Sequence, residues 1–180
     1  MAEQESCILD KEWMKRAIRR IASQIIERNK SVQGLAVVGI EPRGAVLARR
    51  LAAEIHKAEA CDVPIGTLDI SLYRDDLDET PLRTVPHGTE INFDVTGKDL
   101  VLVDDVLYTG RSIRAALSEL MDLGRPRTIQ LAVLIDRGHR ELPIAADYVG
   151  KLVETLGSDR IAVHLAETHG TDEVVLVRRN

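Results

Sequence analysis

With 180 residues, 44% of them hydrophobic and 29% charged, the chain suits one globular domain over residues 1–180 and excludes a disordered or fibrous protein. Its longest uncharged stretch is the ten residues Ser31 to Ile40, half of the ~20 a membrane-spanning helix needs, and the acidic start MAEQESC carries no apolar signal region, so a cytoplasmic address is expected. A net charge of −5 and only five aromatic residues exclude a surface committed wholly to nucleic acid and a base-stacking platform, while leaving room for a local basic patch.

Asp10 is placed to cap a helix, and Met14, Ala17, Ile18, Ile21 and Ile25 follow at helical spacing, which predicts a helix from about Lys11 to Asn29. Leu35 to Ile40 is a continuous apolar run that suits a strand buried on both faces. The turn Glu41 to Gly44 ends it, and the Ala- and Leu-rich stretch Ala45 to Glu59 reads as a helix. Ile65 to Tyr73 alternates as a strand, and Arg74 to Glu90 is a charged surface loop, long enough to suggest a lid. INFDV (Ile91 to Val95) and DLVLV (Asp99 to Val103) supply further strand material, and Ser112 to Gly124 is a helix with a glycine stop. Thr128 to Ile135 is a second buried strand, Asp136 to Ile144 a loop, ADYV a short strand, and IAVHLAE with EVVLVR a terminal hairpin. Strands alternating with helices predict an α/β fold with a mostly parallel sheet flanked by helices on both faces. Ligands of such sheets bind beyond the carboxyl ends of the strands, which selects the loops Glu41 to Gly44, Asp104 to Ser112 and Asp136 to Arg140.

The segment LVLVDDVLYTGRS, Leu100 to Ser112, carries the strongest chemical signal. The amides of Tyr108, Thr109, Gly110, Arg111 and Ser112, with the hydroxyls of Thr109 and Ser112, form a nest at a helix start that suits a phosphate monoester. Asp104 and Asp105 precede it closely enough to accept hydrogen bonds from two ribose hydroxyls, so the segment describes a ribose 5-phosphate site. A receiver domain wants a lysine where Asp136 and Arg137 stand. A P-loop fails because Ala45 follows Gly44.

This segment resembles the phosphoribosyl pyrophosphate (PRPP) motif of type I phosphoribosyltransferases. SLYRDDL, DDVLYTGR and IQLAVLIDRGHRELPI further resemble the PyrR family, whose members regulate pyrimidine operons and act as uracil phosphoribosyltransferases. The resemblance runs from Ile8 to the terminal hairpin. It implies the type I phosphoribosyltransferase fold with a small hood and a flexible loop, and a reaction in which uracil attacks C1 of PRPP, releasing pyrophosphate and giving UMP. Asp104, Asp105 and Arg43 are the implied catalytic groups. The implied PRPP site comprises Glu41, Pro42, Arg43 and Gly44, where Pro42 permits a cis bond, and Asp104, Asp105, Val106, Leu107, Tyr108, Thr109, Gly110, Arg111 and Ser112. Ile135, Asp136, Arg137 and Gly138 would read uracil largely through backbone groups, and Arg74 and Asp75 would serve from the flexible loop. Magnesium (Mg2+) would ride on PRPP, with no strong protein ligand. Tyr108 stands where purine-specific relatives carry an aspartate, against a hypoxanthine or guanine substrate.

Lys15, Arg16, Arg19 and Arg20 lie opposite the apolar stripe of the first helix and make a basic face, and Arg137, His139 and Arg140 add a basic loop. The resemblance implies that Arg16, Arg19, Arg20, Arg137, His139 and Arg140 bind pyrimidine operon leader RNA, with UMP or UTP favouring binding, and that the protein is a homodimer or higher homo-oligomer. The family often has Thr and His where Arg19 and Ser23 stand, and Arg where Ala145 stands. An RNA-binding regulator that keeps the PRPP site only as a nucleotide sensor is the alternative, and a transferase for another base a third. His56, His87, His164 and His169 read as bystanders, and Cys7 and Cys61 as unreactive free thiols.

Overall fold

A computed structural model describes residues 3–72 and 88–179. Arg74 and Asp75, and with them most of the expected flexible loop, lie outside the described residues. In chain order the elements are β1 (Glu3–Leu9), α1 (Lys11–Asn29), β2 (Leu35–Ile40), α2 (Arg43–Glu59), β3 (Ile65–Leu68), a 3-10 turn (Ile70–Leu72), β4 (Asp99–Leu107), α3 (Arg111–Leu123), β5 (Thr128–Asp136), β6 (Tyr148–Leu152), β7 (Arg160–His164), α4 (Ala166–His169) and β8 (Glu173–Arg179).

Five strands form one sheet in the order β3-β2-β4-β5-β6, every neighbouring pair parallel. Alternation along its central strands divides the core in two. Val37, Val101, Val103 and Leu134 face α1 and α2, whereas Ala36, Val38, Leu100, Leu102 and Val133 face α3. Both faces are therefore apolar, which is why these strands read as continuous runs instead of alternating ones. α1 starts where expected, the Asp10 carboxylate accepting from the Trp13 amide at 2.8 Å, and it buries Met14, Ala17, Ile18, Ile21, Ala22 and Ile25. Among the described residues no helix is long and apolar enough to cross a membrane.

A second sheet, β1-β8-β7, is antiparallel throughout. It contains the expected terminal hairpin and adds a strand, β1, that the polar sequence EQESCIL did not announce. Its β7 end packs over the carboxyl-terminal side of the parallel sheet, with Val163, Leu165 and Val174 joining the α1–α2 core. This is the hood. Arg50 of α2 anchors it, donating to Glu167 from Nε at 2.9 Å and to Asp172 from Nη2 at 2.7 Å.

That anchor predicts an acid-sensitive hood. The Arg50 hydrogen bond holds Glu167 below the usual carboxylate range. Burial opposes the charge on Asp172, but bonds from Arg50 and the Ala166 amide together outweigh it and lower its pKa also. Carboxylates with depressed folded-state pKa values stabilise above their unfolded values, and the contribution is lost as pH falls through the folded ones. Arg50→Gln is expected to cost about 1 kcal/mol at pH 7, a modest figure because Glu167 is half exposed, and the gap to wild type should narrow as melts are taken to acid pH. A constant gap from pH 7 to pH 3 would contradict it.

Three strand expectations are corrected. The run from Ile65 stops at Leu68, opposite the last residue of β2, because the Asp69 carboxylate then accepts from the Ser71 amide at 3.0 Å and turns the chain into the 3-10 turn. Ile91 to Val95 forms no strand. Ile91, Phe93 and Val95 pack on the α3 side of the core, the Asp94 carboxylate binds the Thr96 amide at 2.8 Å, and the pairing near β3 is limited to the bridge Thr67–Glu90. The short strand expected at ADYV starts later, at Tyr148, and runs to Leu152.

Candidate active site

Three loops meet at the carboxyl ends of β2, β4 and β5. At the first, the Glu41–Pro42 bond is cis and the Glu41 amide donates to Leu68 at 2.8 Å. α2 then begins at Arg43, with no side chain capping its first turn. Backbone packs directly on backbone here. A Cβ on Gly39 would sit 2.3 Å from the Gly44 carbonyl oxygen, and one on Gly44 would sit 2.4 Å from the Val103 carbonyl oxygen. The close approach that Gly44 permits in this structure is thus to β4. The Arg43 Nε donates to Val163 of the hood at 2.8 Å and lies 3.8 Å from an Asp105 oxygen, so the residues expected from two distant motifs share one site.

At the second loop the acidic pair lies within β4, which continues to Leu107 beyond the expected end. The Asp104 side chain accepts from the Asp105 amide, and the Asp105 side chain from the Val106 amide, each at 2.9 Å. Asp104 is 8% exposed and Asp105 part-buried. The chain then turns through Gly110 at φ +94°, a conformation that favours glycine, and α3 starts at Arg111 with no side chain of Gly110 to cap it. The Thr109 hydroxyl accepts from the Arg111 amide at 3.3 Å. The helix dipole at the start of α3 and the hydroxyls of Thr109 and Ser112 favour an anion at this turn.

The third loop lies against the second. The amides of Glu141 and Leu142 donate to the Thr109 carbonyl at 3.0 and 3.2 Å, and Arg111 pairs with Glu141 at 2.7 Å.

A phosphoribosyl transferase domain model matches residues 5–167. Over 177 residues, 98% of each chain, the protein is 55% identical to the Bifunctional protein PyrR of Pelotomaculum thermopropionicum. It is 58% identical to that of Roseiflexus sp., over 97% of this chain and 96% of the relative. The chain belongs to the phosphoribosyl transferase domain family and, within it, to the PyrR proteins. Solved hypoxanthine phosphoribosyltransferases share its fold. That of Trypanosoma cruzi superposes with a TM-score of 0.72 over 97% of each chain at 15% identity, and that of Staphylococcus aureus with 0.70 over 94% of this chain and 90% of the other at 18% identity.

Several residues expected from the PyrR resemblance take other positions. Arg137, expected both to help read uracil and to bind RNA, is only 6% exposed. Its guanidinium donates to Thr155 and Leu156 at 3.2 and 3.0 Å and lies 4.1 Å from the centroid of the Tyr108 ring. Its guanidinium is thus turned away from solvent. The backbone near it is also engaged: the Arg137 amide donates to Leu107, its carbonyl accepts from the Thr155 hydroxyl, and the Asp136 carbonyl accepts from the Val153 amide. The Gly138 amide is also bonded, to the Asp136 carboxylate at 3.0 Å. His139 is exposed, with Nε2 2.7 Å from the Thr155 carbonyl and its ring edge-on to Tyr108. Arg140 is turned into the loop itself, not toward solvent.

On α1 the basic face is exposed as expected, but Arg19 pairs with Glu54 at 3.3 Å and Arg20 donates to the Gly150 carbonyl. Sequence reasoning missed Val163, which holds Arg43, and Thr155 and Leu156, which hold Arg137; none lies in a recognisable motif. It also missed Glu119, a buried carboxylate of α3 bonded to the Thr89 hydroxyl, which in turn accepts from the amide of Asp69, whose carboxylate binds the Ser71 and Gly88 amides.

Proposed function

We propose that the protein transfers the phosphoribosyl group of PRPP to uracil, forming UMP and releasing pyrophosphate, and that pyrimidine nucleotides control its binding to pyrimidine operon leader RNA. The observation that carries the transferase reading is the meeting of Arg43, Asp105 and the Thr109–Ser112 turn, supported by the bifunctional relatives named above. The turn binds the 5-phosphate, and Asp104 and Asp105 accept from the ribose hydroxyls. As the bond from C1 to pyrophosphate breaks, positive charge grows on the sugar ring. The two carboxylates oppose it, and Arg43 with the uncapped first turn of α2 holds the leaving pyrophosphate.

Carboxylate oxygens are the donors magnesium takes, so Asp104 and Asp105 fit a cation carried in on PRPP, where its charge eases departure of pyrophosphate. Among the described residues no cluster of three or more His, Cys, Asp or Glu gathers to hold a metal. Uracil lies at the end of β5 beside Tyr108, whose ring is fixed by the Arg137 guanidinium on one side and His139 at its edge.

Incubation with PRPP, magnesium and each free base, followed by pyrophosphate release, tests the reading. Turnover with uracil alone is expected. No turnover with any base, alongside leader-RNA binding, would replace the transferase by a nucleotide-sensing regulator. For the RNA half, a UMP-dependent gel shift that weakens with salt is expected, and its absence would remove that half. Light scattering checks the homodimer or larger assembly that the family resemblance implies.

A further inference from the structure

The basic loop after β5 was expected to present its charges outward, yet Arg140 directs four of its five guanidinium N–H groups at neighbouring protein atoms. Nη1 donates to the Tyr108 carbonyl at 2.9 Å and to the Gly138 carbonyl at 3.2 Å, Nε to the Ile144 carbonyl at 2.9 Å, and Nη2 to the Asp136 carboxylate at 2.5 Å. One side chain therefore joins three segments: the residue that opens the phosphate turn, the last residue of β5, and the loop between them. Its side chain is 23% exposed.

The loop shaped in this way is the backing of the phosphate turn. Its Glu141 and Leu142 amides hold the Thr109 carbonyl, and a Cβ on Gly110 would meet Ile144 at 3.4 Å and Leu142 at 3.5 Å. β5 is fixed by sheet pairing on both sides, so the turn is the partner that shifts when the loop loses its shape. We propose that Arg140 is a positioning residue of the transferase site, holding the amides of the Thr109–Ser112 turn in the arrangement that binds the 5-phosphate. Only a planar guanidinium reaches three carbonyls and a carboxylate at once; lysine keeps the charge and loses the fork. The assignment rests on the transferase reading and adds to it a residue that touches no substrate atom.

Arg140→Lys and Arg140→Gln provide the test, measured against wild type for dissociation of UMP and of uridine, and for kcat and the KM of PRPP. In both variants UMP binding should weaken about tenfold and the PRPP KM rise by a similar factor, while uridine, which lacks the phosphate, binds within twofold of wild type and kcat falls less than threefold. A structural lesion alone would weaken UMP and uridine together and would overturn the assignment. So would wild-type UMP affinity in Arg140→Lys, with or without loss of leader-RNA binding. Failure of the wild-type protein to bind UMP or consume uracil would instead remove the transferase reading beneath it.

Discussion

Replacing Asp104 and Asp105 together by asparagine is expected to lower kcat with uracil and PRPP by about 10²–10³-fold, the usual consequence of removing charge aimed at a charged transition state. The reason is electrostatic, and the fold should survive. Each side chain also receives a backbone amide at 2.9 Å, and an asparagine oxygen accepts that bond as a carboxylate does. Melting temperature should therefore stay within a few degrees of wild type while turnover falls. Asp105→Asn alone also removes the charge facing Arg43 at 3.8 Å, a contact open enough to solvent that its loss should hardly affect stability. Turnover of the double variant within threefold of wild type would sink the role assigned to this pair.

A second large effect is expected from Gly44→Ala, by the opposite route. The added methyl would sit 2.4 Å from the Val103 carbonyl oxygen and 3.3 Å from the Asp104 Cα, and no side-chain rotation relieves a clash of backbone with backbone. The start of α2 must lift from β4, at a cost of about 3 kcal/mol, the upper range for overpacking. Arg43, the preceding residue, moves with it and leaves Asp105. A loss of melting temperature and of kcat/KM together is the expected result. Gly157→Ala, where nothing lies within 4 Å of the new methyl, should change neither. Unaltered stability in Gly44→Ala would show that the two segments do not pack as described.

The parts of this molecule that were legible in its sequence are those whose local pattern and tertiary role agree. Leu100 to Val103 is apolar because both sheet faces are covered, the acidic pair follows because the strand then enters the site, and Thr-Gly marks the turn that glycine alone makes easily. β1 escaped because EQESCIL is polar along most of its length and becomes a strand only against β8, 170 residues later. Ile91 to Val95 has the opposite history: its apolar residues suit a strand, yet no strand partner is at hand, and they serve as side-chain contacts below α3. Arg137 and Arg140 show the limit at the site. A charged residue in a loop is solvated by default, and partners on Tyr108, Asp136, Gly138, Ile144, Thr155 and Leu156, invisible to local sequence, draw these two inward. Arg43 was legible as a site residue because its turn has a recognisable form, but its bond to Val163 required the hood.

The ion pair between Arg19 and Glu54 has a thermodynamic consequence for any RNA laid along α1. A phosphate that meets a guanidinium already neutralised by a carboxylate must displace that partner, and the exchange frees fewer condensed cations from the nucleic acid than a bare charge would. Among the described residues, Lys15 and Arg16 have no such partner, while Arg20 is held by a carbonyl. The salt slope of RNA binding through this helix should accordingly count about two or three phosphates rather than four, and Glu54→Gln should steepen it by about one charge. An acidic residue on the neighbouring helix α2 thus sets how strongly the basic face of α1 responds to ionic strength.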